Sequence, residues 1–187
     1  MKYDIVLSGV GGQGILTIAA IIAAAAMKEG LKVRQSEVHG MAQRGGAVSA
    51  SLRISDKTIA CDLIADGTAE MIISMEPLES LRYVKQLSPD GVLITSKTPV
   101  ENITDYPDLN SIYAKINKLP NSELIDADEL AKQIKSPRSA NMVLIGAASK
   151  HLPLKQKSLE NAIEEKFARK GEKIVNTNIE AFRLGAK

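Results

Sequence analysis

Apolar and polar positions along this chain follow two periods, one near two residues and one near three and a half. Tyr3 to Leu7 is a short β-branched and apolar run that stops at Ser8 and Gly9, which predicts a strand ending in a turn. Ile15 to Glu29 follows as a helix closed by Gly30. Its isoleucines, Leu16 and the alanines from Ala19 to Ala26 leave no polar face, so the helix should be covered on nearly all sides. Leu31 to Ser36 predicts a second strand, and Glu37 to Gly46 a polar, glycine-bearing loop. The cleanest alternation comes next: Val48, Ala50, Leu52 and Ile54 share one face, and Ser49, Ser51 and Arg53 share the other.

Met71 to Met75 is a further apolar strand, and Glu76-Pro77 opens a helix predicted through Leu87, with the proline in the first turn. Val92 to Thr95 predicts a strand. Lys97 to Pro120 holds three prolines and reads as irregular, with a short strand near Ile112 to Ile116, and Ser122 to Ile125 reads as another strand. From Asp126 the pattern turns helical: Leu159, Ala162, Ile163 and Phe167 sit at helical spacing, and Val175, Ile179 and Phe182 repeat it before Gly185. Strands alternating with helices early and helices late define an α/β class. The expected fold is a mainly parallel sheet with helices on both faces, a Rossmann-like start and a helical C-terminal third. No internal repeat or linker divides residues 1–187, so a single domain is expected.

Composition narrows the function classes. The charge is +2 from 24 basic and 22 acidic residues, aromatics make up 3% and there is no tryptophan, which speaks against nucleic-acid binding. One cysteine, Cys61, and two histidines, His39 and His151, cannot build a disulfide framework, a zinc site or a thiolate-ligated cluster within the chain. Cys61 reads as a small buried side chain and His151 as a local helix C-cap. The longest apolar stretch, Ile15 to Met27, is 13 residues broken by Thr17, short of the ~20 a membrane span needs. It has the length of a signal-peptide core, but Asp4 spoils the positive leader and Ser8 to Gly14 reads as a glycine turn; a cytoplasmic protein with no membrane contact is expected.

Two loops carry the candidate chemistry. Gly9-Val10-Gly11-Gly12-Gln13-Gly14 satisfies the dinucleotide fingerprint, with a strand before it, a helix after it and Glu37 beyond the second strand. Its glycines permit close ligand approach, and the helix start attracts phosphate or carboxylate; the same glycines also serve a tight turn beneath a buried helix. A P-loop is excluded, because Ile15 and Leu16 stand where the phosphate-binding lysine and the magnesium-binding hydroxyl belong. The second loop, Glu37 to Gly46, gathers Glu37, His39, Gln43 and Arg44 ahead of Gly45 and Gly46. It reads either as a ligand or interface loop or as a solvated surface in which Arg44 pairs with Glu37. A serine nucleophile is weaker still, since Ser8 lacks the G-x-S-x-G elbow. No residue is nominated as catalytic, and none as a metal ligand.

Ser8 to Gly14 (SGVGGQG), Ser36 to Gly46 (SEVHGMAQRGG) and the strand ending Leu52-Arg53-Ile54-Ser55 together resemble the gamma-type domain of the 2-oxoacid:ferredoxin oxidoreductases. The resemblance extends through Met75-Glu76-Pro77-Leu78-Glu79, Asn141-Met142 with Gly146, and Asn176 to Gly185, and leaves out only residues 97–121. Within that family it lies nearest the small subunits that serve oxidation of indolepyruvate and other arylpyruvates. The resemblance implies a subunit of an enzyme that oxidatively decarboxylates arylpyruvates to aryl-acetyl-CoA and passes the electrons to ferredoxin. Thiamine diphosphate, Mg2+ and 4Fe–4S clusters would sit on a large, cysteine-rich partner subunit, with coenzyme A shared. In this chain the nearest approach to the thiamine motif is Ala65-Asp66-Gly67, without the matching asparagine. Self-association through the apolar helix is also expected. Two other classes stay open at this stage: a free-standing dinucleotide-binding protein with Glu37 on the ribose, and a purely structural interaction module.

Overall fold

The computed structural model describes residues 1–39 and 45–187, and of His39 the backbone only. Gln43, Arg44 and the His39 side chain therefore lie outside the described residues. The chain folds as β1 (Lys2–Val10), α1 (Ile15–Lys28), β2 (Lys32–His39), β3 (Ala47–Ser55), β4 (Ala69–Ser74), α2 (Pro77–Leu81), β5 (Leu87–Ser96), α3 (Leu109–Ile116) and β6 (Ser122–Ile125). Four helices close it: α4 (Ala127–Gln133), α5 (Ala140–Ser149), α6 (Gln156–Phe167) and α7 (Glu172–Gly185). The six-stranded sheet has the order β2-β3-β1-β4-β5-β6. β1, β4, β5 and β6 are mutually parallel, and β3 runs antiparallel to both β1 and β2.

The expected α/β architecture is thus present, with one insertion in its first unit. After β1, the glycine turn and α1, strand β2 does not return beside β1; the reversed β3 stands between them. Ile5, Leu7, Leu52, Ile54, Met71, Ile73 and Ile94 form the sheet face beneath α1 and the C-terminal helices. On the opposite face Val6, Ile72 and Leu93 pack with Ile112 and Ile116 of α3, and Leu78 and Leu81 of α2 close over them. Over β3 that second face is polar. There the Arg53 guanidinium grips both oxygens of the fully buried Asp4 carboxylate at 3.0 Å and holds the carbonyls of Cys61 and Leu63 at 2.9 and 3.0 Å. A bidentate pair of this kind is what lets a carboxylate sit inside a sheet.

Several local expectations change. β1 continues through Ser8 and Gly9, and β2 continues to His39, because both are held by the long β3 ladder. The helix after Glu76 stops at Leu81, and β5 starts at Leu87 rather than Val92. Ile112 to Ile116 is helical: the Asp108 carboxylate caps α3 by accepting from the Ser111 N–H at 2.9 Å, and Ile112 and Ile116 are its buried face. Cys61 is exposed. His151 follows α5 but turns its ring to the Glu123 carboxylate, 2.8 Å away. Within α1 the ends escape cover, with Leu16 37% and Met27 58% exposed, while Ile15, Ile18, Ile21 and Ile22 are buried.

The C-terminal helices meet backbone to backbone. A Cβ on Gly146 of α5 would lie 2.0 Å from the Phe182 carbonyl oxygen, and one on Gly185 of α7 would lie 1.9 Å from that of Val143. No rotamer change relieves a clash with backbone, so the helices would have to part. Gly146→Ala is expected to destabilise the chain by about 2–3 kcal/mol, the upper part of the usual overpacking range. Urea unfolding of the two proteins measures it, and wild-type stability in the variant would contradict the reciprocal contact.

Candidate functional site

The two loops singled out by sequence are joined through their backbones. Beyond the last paired residues of β1 and β3, the Gly11 N–H donates to the Gly46 carbonyl at 2.8 Å and the Gly45 N–H to the Gly11 carbonyl at 3.3 Å. Val10 closes β1 just after Gly9, Gly11 to Gly14 form the turn, and Gly45 and Gly46 lead into β3. The glycine turn and Gly45-Gly46, the end of the second loop, therefore form one ridge at the C-terminal end of β1, where open α/β sheets place their sites.

Gln13 holds the turn from within. Its carbonyl accepts from the Val10 N–H at 2.7 Å and its amide donates to the Met75 carbonyl at 3.0 Å, tying the ends of β1 and β4 together. This side chain holds the loop's shape through both ends of its amide. Gly14 caps α1 in the left-handed conformation, φ 85°, and a Cβ there would come within 2.6 Å of the Asn141 amide nitrogen. Between the turn and α1 lies a cavity of about 380 Å³ lined by Gly11, Gly12, Gly14, Ile15, Leu16 and Val48, among others. The first N–H groups of the helix have no intrahelical acceptor and face a site of this kind at any helix start.

Glu37 falls on β2, with β3 between it and the glycine turn. At ~4.8 Å per strand spacing, β2 lies about 10 Å from β1. A dinucleotide fingerprint needs its acidic residue on the strand beside the glycine turn, so the strand insertion does not favour the ribose-binding role of Glu37. Of the remaining candidates, His39 is the last residue of β2.

Residues 97–121, which add nothing to the resemblance, contribute directly here. Asn102 donates its amide to the Gly45 carbonyl at 2.8 Å, and so straps the ridge from outside. The strap is anchored by Glu76, whose carboxylate accepts from the Val100 N–H at 3.3 Å and from the Tyr106 hydroxyl. Burial and that carboxylate push the Tyr106 phenol well above its usual range. Glu76 also caps α2, accepting from the Glu79 N–H at 2.7 Å. The sequence signalled Glu76 as part of a motif, but Asn102 carries no local signature at all.

The metal and cofactor readings get little from these residues. Asp66, the nearest to a thiamine-motif aspartate, is exposed and paired with Lys85 at 2.7 Å. A four-iron cluster needs several thiolates and the chain has one cysteine. Neither group fits this chain. Another concavity, about 600 Å³ between Tyr3, Glu70, Asp90, Glu123 and His151, opens at the N-terminal ends of the strands, away from the ridge. Among the described residues no helix is long and apolar enough to cross a membrane.

The sequence matches the pyruvate ferredoxin/flavodoxin oxidoreductase family over residues 4–187, and the chain belongs to that family. Indolepyruvate oxidoreductase subunit IorB of Pyrococcus horikoshii is 37% identical over 100% of this chain and 95% of its own length. A 2-oxoglutarate:ferredoxin oxidoreductase from Magnetococcus marinus, solved with 2-oxoglutarate, coenzyme A and succinyl-CoA bound, superposes with a TM-score of 0.77 at 26% identity. That match covers 98% of this chain but 30% of the longer one. Pyruvate oxidoreductase subunit PORC of Thermotoga maritima shares the fold, with a TM-score of 0.76 at 23% identity over 99% of this chain and 95% of that one. The relatives are subunits or portions of 2-oxoacid oxidoreductases, and a free-standing dinucleotide-binding protein is not favoured.

On α2, Glu79 is a buried carboxylate. It is 2% exposed, its Oε1 accepts from Arg82 at 3.0 Å, and its Oε2 has no partner among the described residues. Burial above all, and Glu76 with it, raise its pKa over the ordinary 4.5, against the opposing pull of Arg82. The folded state therefore holds this proton more tightly than the unfolded chain. Its stabilising effect is complete below the ordinary value and is lost as pH rises through the raised one. Relative to Glu79→Gln, the wild-type melting temperature is expected to fall as pH rises from the ordinary carboxylate value through the raised one. Parallel melting curves across that window would contradict the buried, proton-retaining carboxylate.

Proposed function

We propose that this chain is the small subunit of an oxidoreductase that oxidatively decarboxylates indolepyruvate and other arylpyruvates to aryl-acetyl-CoA. The catalytic cofactors reside on a large, cysteine-rich partner, and ferredoxin takes the electrons. The reading is carried by the likeness to the Pyrococcus horikoshii subunit along the whole chain. The joined loops support it. A ridge of bare glycine backbone at Gly11, Gly12, Gly45 and Gly46, beside the exposed Leu16, suits close approach of a second subunit or of coenzyme A. The chain's own contribution is to bind and shape: its helix start offers N–H groups to a phosphate, and Arg44, next to the ridge in sequence, brings a permanently charged fork. Purification of the tagged chain from its native cell without oxygen tests the assignment. A large cysteine-rich partner that turns over indolepyruvate is expected, and recovery of the chain alone, with no such activity, would contradict it.

The role of Arg44 has its own readout. Arg44→Ala, and less so Arg44→Lys, is expected to lower turnover of the assembled enzyme while this chain stays folded. If Arg44 meets coenzyme A, KM for coenzyme A rises with little change for the 2-oxoacid; if it meets the partner, subunit affinity falls. A surface pair with Glu37 would contribute only ~0–1 kcal/mol and alter neither quantity. Steady-state kinetics and a subunit-affinity measurement on the reconstituted variant decide between these outcomes.

A further inference from the structure

The hydrogen bonds around the ridge close into a ring drawn from segments far apart in sequence. From Gly11 the ring passes through backbone groups to Gly45 and Gly46. Asn102 takes it on from the Gly45 carbonyl at 2.8 Å, and two residues earlier the Val100 N–H reaches the Glu76 carboxylate at 3.3 Å. The carbonyl of the preceding residue, Met75, accepts from Gln13 at 3.0 Å, and the Gln13 carbonyl returns to the Val10 N–H beside Gly11.

The links of this ring differ in what else holds them. Gly11, Gly45 and Gly46 continue the β1–β3 ladder past its last pair, Val10 with Ala47. Met75 continues β4, its N–H on the Ser8 carbonyl at 3.0 Å, and Gln13 bonds within its own turn. The strap has no such support, because residues 97–108 belong to no strand or helix. Side chains alone fasten it. Glu76, 1% exposed, receives the Val100 N–H and the Tyr106 hydroxyl on one oxygen, Oε1, and keeps Oε2 for the Glu79 N–H. At the strap's start the Tyr113 hydroxyl donates to the Lys97 carbonyl at 2.6 Å. Asn102 lies between Val100 and Tyr106, so its amide is aimed at Gly45 by a span held on both sides.

A hydrogen bond from an exposed amide contributes little to folding, since water replaces it when it is lost. What the Asn102 bond does fix is the place of the Gly45 carbonyl, at the exit of the second loop. We infer that Asn102 and Tyr106 are positioning residues, which hold the Gly45 end of that loop in the form that meets the partner subunit. Neither side chain is assigned a contact with a reacting atom. Tyr106 acts through Glu76 and Asn102 through Gly45 as parts of one strap, so removing either releases the same constraint. The bearing on the partner rests on the subunit reading given above; the shape of the ridge does not.

Asn102→Asp and Tyr106→Phe, singly and together, test the inference. The first keeps the side chain's size but sets a carboxylate oxygen against the Gly45 carbonyl, and the second removes only the hydroxyl that Glu76 receives. In the full chain by itself, amide hydrogen exchange at Gly11 and Gly45 is expected to quicken about three- to ten-fold in each single variant. In the assembled enzyme, each is expected to weaken subunit association about three- to ten-fold while kcat at saturating partner is kept, and the double variant to weaken it no further than the stronger single one. Unchanged exchange at Gly11 and Gly45 overturns the positioning role. Faster exchange with wild-type subunit affinity, or single effects that multiply in the double variant, overturns its bearing on the partner. A wild-type chain that recovers no large partner contradicts the subunit reading instead, and the exchange measurement still decides whether the strap sets the ridge.

Discussion

The structure depends on hiding α1. Ile15, Ile18, Ile21 and Ile22, with Ala19, Ala25 and Ala26, give a helix with no side that water can solvate, so cover is needed above as well as below. The sheet supplies one half through β1 and β3, and α5 and α6 supply the other. The helical C-terminal third is therefore a lid on α1 rather than an appendage. The reciprocal glycine contact of Gly146 and Gly185 lets α5 and α7 pack with their backbones in contact within that lid. Leu16 and Met27, at the two ends of α1, are what a single chain leaves uncovered.

The same helix dictates the ridge. A helix pressed against its sheet must start from a tight turn, and Gly14 takes the left-handed φ of 85° there, with the Asn141 amide close beside it. Once that turn is bare, its polar backbone has to be satisfied, and this is done by Gly45 and Gly46, by Gln13 folding inward, and by Asn102 reaching across from the strap. The strap is held in turn by a buried carboxylate. A polar network thus runs from Glu76 to the ridge through groups that are nearly all hydrogen-bonded, which gives the loops a defined shape before any ligand arrives.

What this chain presents at its glycine turn is bare backbone and a helix start. Glycine backbone, helix starts and fixed cations are groups that position anions and other chains; they do not move electrons. The glycine-loop cavity opens beside Thr17 at the start of α1.

The sequence by itself determined the elements whose signal is local. Alternation marked β3, the all-apolar run marked α1, helical spacing marked the last helices, and the glycine spacing marked the turn, each because side-chain period reports the face that must be buried. Non-local pairing was not legible. Nothing in residues 47–55 says that they insert between β1 and β2, yet that insertion moves Glu37 away from the glycine turn and parts the apparent dinucleotide fingerprint. Nor does residue 102 announce that it will meet residue 45. Strand order and the strap are set by contacts between distant segments, whose energies exist only once the chain has closed on its core.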